Sequence, residues 1–172
     1  MSATARPPQL VRTALCNVVV WTRLRSSDGP VQTQPAAIAR FRSFYDTFSA
    51  AWLDRLEELY APGFYVQDPF HTFRGDFVAM RGYFQRVLDG LTESRFYSED
   101  DATGSDGTYV RWRWEWRRRA RDPLRIVPGV THLRFDRDGK ITYHRDLFDA
   151  ADGFYAALPV VGTVLRQIKK RL

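Results

Sequence analysis

At 172 residues the chain is long enough to bury one real core, and its 15% aromatic content belongs to a folded protein. One cysteine, Cys16, excludes an intramolecular disulfide framework and a cysteine-rich zinc site, and three histidines (His71, His132, His144) give thin support to a metal centre, so none is expected. The formal net charge of +6 sits at the ends, with Arg6, Arg12, Arg23 and Arg25 against Asp28 in residues 1–35 and Arg166, Lys169, Lys170 and Arg171 with no acid in 159–172. Residues 36–158 are near neutral, so the body is no general phosphate binder and no nucleic-acid partner is expected.

Residues 1–35 carry scattered prolines and a short apolar patch, Leu15 to Trp21, followed by Thr22-Arg23 where a secretory signal would place small residues. The stretch reads as a flexible or disordered basic extension, and the chain as cytoplasmic. From Ala36 the pattern turns regular. "AAIARFRSFYDTFSAA" puts Ile38, Phe41, Tyr45 and Phe48 at helical spacing, and "WLDRLEELYAPGF" continues with Leu53, Leu56, Leu59 and Tyr60 before Pro62-Gly63. "FYVQDPF" is strand-like, and "DFVAMRGYFQRVLDGL" is a third helix with Asp76 near its start. Residues 94–103, 107–119, 127–137 and 140–149 then read as four strands separated by "GSDG", "ARDP" and "RDGK". Residues 159–172 form a basic amphipathic helix, suited to packing on the sheet or on a second subunit more than to a membrane surface. Helices first and a strand meander afterwards predict an α+β domain over 36–158, with helices on one face of a curved antiparallel sheet.

Three stretches carry candidate chemistry. "YHRDLFDAAD" begins like a kinase catalytic loop, but Ala151 stands where that loop needs asparagine, and no glycine-rich phosphate loop is present. As a strand, it places His144, Asp146 and Phe148 on one face and Tyr143, Arg145 and Leu147 on the other. Asp146 then orients and charge-stabilises His144 as an acid/base pair, or the two only hold the sheet together. Asp68 in "YVQDPFH" lies among Phe64, Tyr65, Phe70 and Phe73, where desolvation would raise its pKa toward a general base's range; capping the turn before Pro69 is the alternative. In "YVRWRWEWRRR", Val110, Trp112, Trp114 and Trp116 share one face and Arg111, Arg113, Glu115 and Arg117 the other. Exposing three tryptophans or burying three arginines against one glutamate is unfavourable, so the tryptophan face goes in.

The motifs "LEELYAPGFYVQDPF…FRG" and "HLRFDRDGKITYHRDLFD", in this element order, resemble the nuclear transport factor 2-like superfamily: SnoaL-like polyketide cyclases, ketosteroid isomerase and limonene epoxide hydrolase. The resemblance covers about residues 36–158 and implies a cone-shaped fold around a pocket for a small hydrophobic molecule, no cofactor, and a homodimer. It puts Asp68 at the isomerase's general base, but Phe44 and Thr131 at its two oxyanion donors, so isomerisation is not expected. It puts Asp146 on the epoxide hydrolase's last-strand aspartate, whose Arg-x-Asp partner is met only by Arg113-Trp114-Glu115, pointing outward. The expected site is therefore Asp68, His144 and Asp146 at the base of a pocket lined by Phe44, Phe70, Trp112, Trp114, Thr131, Leu133 and Phe148. Its function is cofactor-free acid/base chemistry of isomerase, cyclase or epoxide-hydrolase type, or non-catalytic ligand binding or dimerisation.

Overall fold

A computed structural model describes residues 35–171, so the N-terminal extension (apart from Pro35) and Leu172 lie outside the described residues. Helix α1 (Pro35–Asp46) buries Ala37, Ile38, Phe41, Phe44 and Tyr45 along one stripe. The expected second helix is two single turns, α2 (Ala50–Leu53) and α3 (Leu56–Leu59), broken at Asp54-Arg55. Four-residue turns have little stability of their own; here Leu53, Leu56 and Leu59 are buried, and Arg55 lies over the Trp52 ring and pairs with Glu58.

Strand β1 (Tyr60–Gln67) starts ahead of Pro62-Gly63, and its pairing with β6 (Ile141–Phe148) is interrupted between Tyr60 and Tyr65. Pro62 has no N–H for the ladder, which accounts for a break at that point. A short strand that the periodicity did not reveal, β2 (Thr72–Arg74), pairs back on β1. Helix α4 (Phe77–Asp89) is capped by the Asp76 carboxylate, which accepts from the Ala79 N–H, and ends at Gly90. The meander follows: β3 (Glu93–Gly104), β4 (Gly107–Arg117), β5 (Arg125–Phe135) and β6. Helix α5 (Ala150–Gly153), capped by Asp149, and a 3-10 turn (Tyr155–Ala157) lead into α6 (Pro159–Lys169). On α6, Val160, Val161, Val164 and Ile168 stay exposed, so these residues do not cover the sheet.

The six strands form one curved, unclosed sheet in the order β2-β1-β6-β5-β4-β3. Every neighbour is antiparallel except β1 with β6, which run parallel and bring Val66 opposite His144. Alternation on β4 is as the sequence predicts: Trp112, Trp114 and Trp116 are buried, while Arg113 pairs with Glu99 and Glu115, and Arg117 with Glu93, on the other face. The arginine row is thus neutralised by acids of β3 and of its own strand.

Two core clusters result. One joins α1, α3, β1 and α4 around Phe41, Tyr60, Phe64 and Met80; the other gathers Trp112, Trp114, Trp116 and Val127 against Phe148 and Phe154. Phe96 packs against both, and the space between them becomes the pocket described below. Fully burying a side chain of this size contributes roughly 1.5–3 kcal/mol. The Trp112 ring lies flush on Gly129: a Cβ there would come within 2.3 Å of it. Gly129→Ala should therefore push Trp112 off its seat and lower stability by about 1–3 kcal/mol, read as a denaturation midpoint with altered near-UV tryptophan dichroism.

Candidate active site

The inner row of β6 carries the site. His144 is 1% exposed, stacked 5.9 Å from the Tyr60 ring and met edge-on by Phe41 and Tyr45. Its Nδ1 is 2.7 Å from the Tyr60 hydroxyl, which is 2.8 Å from the Tyr45 hydroxyl. Its Nε2 is 2.9 Å from Asp146 Oδ1, which also accepts from Thr131 Oγ1 at 2.5 Å. The Trp112 indole N–H donates to that same Thr131 oxygen at 2.8 Å. One hydrogen-bonded chain thus runs Tyr45, Tyr60, His144, Asp146, Thr131, Trp112 across α1, β1, β6, β5 and β4.

Donor bookkeeping orients this chain. A carboxylate only accepts, so His144 Nε2–H donates to Asp146; in that tautomer Nδ1 is an acceptor that the Tyr60 O–H fills, and Tyr60 accepts from Tyr45. Both of these bonds to Asp146 end on Oδ1, and Asp146 is one of the residues that line the cavity. The cavity is small, about 50 Å³ measured at the centres of water-sized spheres, below the usual range for ligand pockets. Its apolar wall is Phe48, Phe84, Val87, Phe96, Trp112, Trp114 and Phe148; Tyr45, Asp68, Tyr83 and Asp146 supply its polar atoms.

Asp68 fills both roles the sequence allowed. Its Oδ1 accepts from the Phe70 and His71 N–H groups at 2.7 Å each, capping the turn, and its Oδ2 accepts from the Tyr83 hydroxyl at 2.6 Å in the pocket wall. Both of its oxygens are therefore committed, unlike those of Asp146.

Burial pushes the Tyr45, Tyr60 and Tyr83 phenols well above their usual range. The Asp146 charge adds to the push on all three, and Asp68 to that on Tyr45 and Tyr83. Unfolded tyrosines ionise near pH 10 while these stay protonated, so above pH 10 the unfolded state holds fewer protons and stability falls. The fall should approach about 1.4 kcal/mol per pH unit for each tyrosine, with none of it present below about pH 9. Phenolate absorbance of the native protein should lag the denatured chain by three groups through this window.

The expected residues separate on inspection. Asp68, Asp146, Trp112, Trp114 and Phe148 meet around one cavity. His144 does not line it: it is 1% exposed and bonded to Asp146, which does. Thr131 is likewise behind the wall, 1% exposed, holding Asp146 and Trp112. Leu133 is wholly buried in the first core cluster, because its side chain falls beneath the helices and not beside the cavity. Phe44 turns away from the pocket into a separate recess with Arg40, Trp52 and Arg55, since α1 rotates by about 100° per residue. Its neighbour Tyr45 takes the wall position instead. Phe70 packs at the rim against Phe148 and Phe154. His71 stacks on Tyr83 with 4.2 Å between centroids. Tyr45, Phe48, Phe84 and Val87 read in the sequence as helical core stripe; the one signal that marked a site was a tyrosine hydroxyl within such a stripe. Tyr83 and Phe96 carried no signal at all.

The sheet, its helices and the pocket between them define a nuclear transport factor 2-like fold, and solved structures agree. An NTF2-like protein of unknown function from Exiguobacterium sp. 255-15 is 17% identical, with a TM-score of 0.56, covering 66% of this chain and 98% of its own. A protein with a ketosteroid isomerase-like fold from Catenulispora acidiphila DSM 44928, in complex with trimethylamine, is 16% identical, with a TM-score of 0.58 and coverages of 70% and 91%. A protein assigned as a SnoaL-like polyketide cyclase from Shewanella putrefaciens CN-32 is 16% identical, with a TM-score of 0.57 and coverages of 69% and 83%. At these identities the likeness is one of fold. No curated protein matches the sequence. The family model of the SnoaL-like domain matches residues 41–144, more than half of the chain. The chain belongs to the SnoaL-like family. Among the described residues no helix is long and apolar enough to cross a membrane.

Proposed function

We propose that the domain binds a small, largely apolar molecule and that Asp146 acts on it as a general base. The observation that carries this reading is the asymmetry of one carboxylate. Oδ1 is anchored by Thr131 and His144, while no described side chain donates to Oδ2 and Asp146 lines an apolar cavity. An anchored base in a low-dielectric pocket is pre-aimed and loses little entropy on reaction. His144 is a positioning residue here, holding the carboxylate and passing polarisation on to Tyr60 and Tyr45.

The wall also limits the chemistry. Tyr83 O–H donates to Asp68, Trp112 N–H to Thr131 and Trp114 N–H to Ser94 Oγ, and the Tyr45 hydroxyl is shared with Tyr60. With these donors committed, no preformed oxyanion hole of side-chain donors supports an enolate among the described residues, so isomerase-type chemistry is disfavoured relative to deprotonation of an O–H, N–H or activated C–H. Ligand binding is testable apart from catalysis. A small aromatic alcohol should quench the fluorescence of Trp112 and Trp114, and Val87→Trp, which fills the cavity, should abolish the response while the protein stays folded. A response that survives Val87→Trp places the ligand elsewhere and overturns the reading.

A further inference from the structure

We propose that the ligand of this pocket is a protonated amine: a small organic ammonium ion carrying an apolar or aromatic body. This rests on the pocket being the binding site, as argued above, and names the class of molecule it takes. Three properties of the wall agree.

The first is charge. Two carboxylates, Asp68 and Asp146, line the cavity, and among the described residues no lysine, arginine or histidine does. Arg86, which acts on Tyr83 from the next turn of α4, does not line it. An anion would meet two like charges in a poorly solvated space.

The second is the ring count. Tyr45, Phe48, Tyr83, Phe84, Phe96, Trp112, Trp114 and Phe148 surround the space, and aromatic faces carry negative potential that attracts a desolvated cation. Several of these rings are fixed by their neighbours, with Phe96 stacked on Trp114 at 5.1 Å and Phe48 edge-on to Phe84 and Phe96.

The third is hydrogen-bond polarity. The wall's side-chain donors are spent on protein acceptors, whereas Asp146 Oδ2 and the remaining lone pairs of Asp68 and the tyrosines are acceptors. A ligand must bring donors. An ammonium group brings up to three, together with the charge that the first property calls for.

Three probes of nearly one shape separate these properties: phenethylammonium, phenethyl alcohol and phenylacetate, measured by calorimetry and tryptophan quenching on the full chain. The ammonium should bind at least about tenfold more tightly than the alcohol, and phenylacetate should not bind detectably. Asp146→Asn and, separately, Asp68→Asn should each shrink the preference for the ammonium over the alcohol several-fold. The two variants guard against either one failing to fold. Alcohol binding equal to or tighter than the ammonium would overturn the proposal and leave the pocket's binding role standing. Tightest binding of phenylacetate would overturn the proposal in the same way. If none of the three binds, both the ammonium proposal and the binding reading fall together.

Discussion

Asp146→Asn should abolish base catalysis while keeping the fold. A benzisoxazole serves as the probe: a carboxylate removes its ring C–H proton, the ring N–O bond breaks, and a coloured cyanophenolate is released. The reaction needs a positioned base and little else, which suits a wall whose donors are already committed. The wild-type chain should accelerate it, and the asparagine variant should lose about 10²- to 10⁴-fold in kcat with KM changed little. The amide oxygen still accepts from Thr131 and His144, so the denaturation midpoint should move by no more than the difference between charged and neutral hydrogen bonds, about 1 kcal/mol. Asp68→Asn should lose far less, because both Asp68 oxygens are held by Phe70, His71 and Tyr83. Equal turnover in the wild type and the Asp146 variant would take that aspartate out of the mechanism.

The largest stability loss should come from His144→Ala, at about 3–5 kcal/mol. The imidazole is 1% exposed and in ring contact with Phe41, Tyr45 and Tyr60, so its removal leaves a cavity. It also strips the buried Tyr60 hydroxyl of an acceptor and Asp146 Oδ1 of a donor. Tyr60→Phe is the milder comparison, at about 1–3 kcal/mol, since the ring stays and only the bonds to His144 and Tyr45 go. If His144 positions the base, Tyr60→Phe should also reduce benzisoxazole turnover by a smaller factor than Asp146→Asn. A purely structural histidine would leave turnover per folded molecule unchanged. Urea midpoints and single-substrate kinetics on the same preparations read both quantities.

Much of this arrangement was legible in the chain. Period-two alternation on β4 put the tryptophans inside and the arginines outside, because either exposed tryptophans or unpaired buried arginines cost more than the reverse. The same alternation put His144, Asp146 and Phe148 on one inner row, and the Asp-Pro of "VQDPF" marked a turn carboxylate near the pocket. Helix boundaries were less legible: the stripe from Trp52 to Tyr60 has the spacing of one helix, yet it breaks at Asp54-Arg55. Local propensity does not decide between one helix and two turns; packing of Leu53 and Leu56 in the core does.

What the sequence alone determined is therefore the order of the long elements, the faces of its strands and the two carboxylates of the pocket wall, all of which follow from local period and turn chemistry. What only the tertiary structure decided is who touches whom. The parallel pairing of β1 with β6 brings Tyr60 to His144 across 84 residues of chain, and the β5–β6 register sets Thr131 opposite Asp146. Those two contacts bury His144 between Tyr60 and Asp146, away from the cavity lining. The rotation at which α1 packs likewise picks Tyr45 over Phe44 for the wall. Hydrophobic period is blind to such choices, because a tyrosine and a phenylalanine on one stripe differ only by an oxygen, and only the finished packing shows where that oxygen finds its partner.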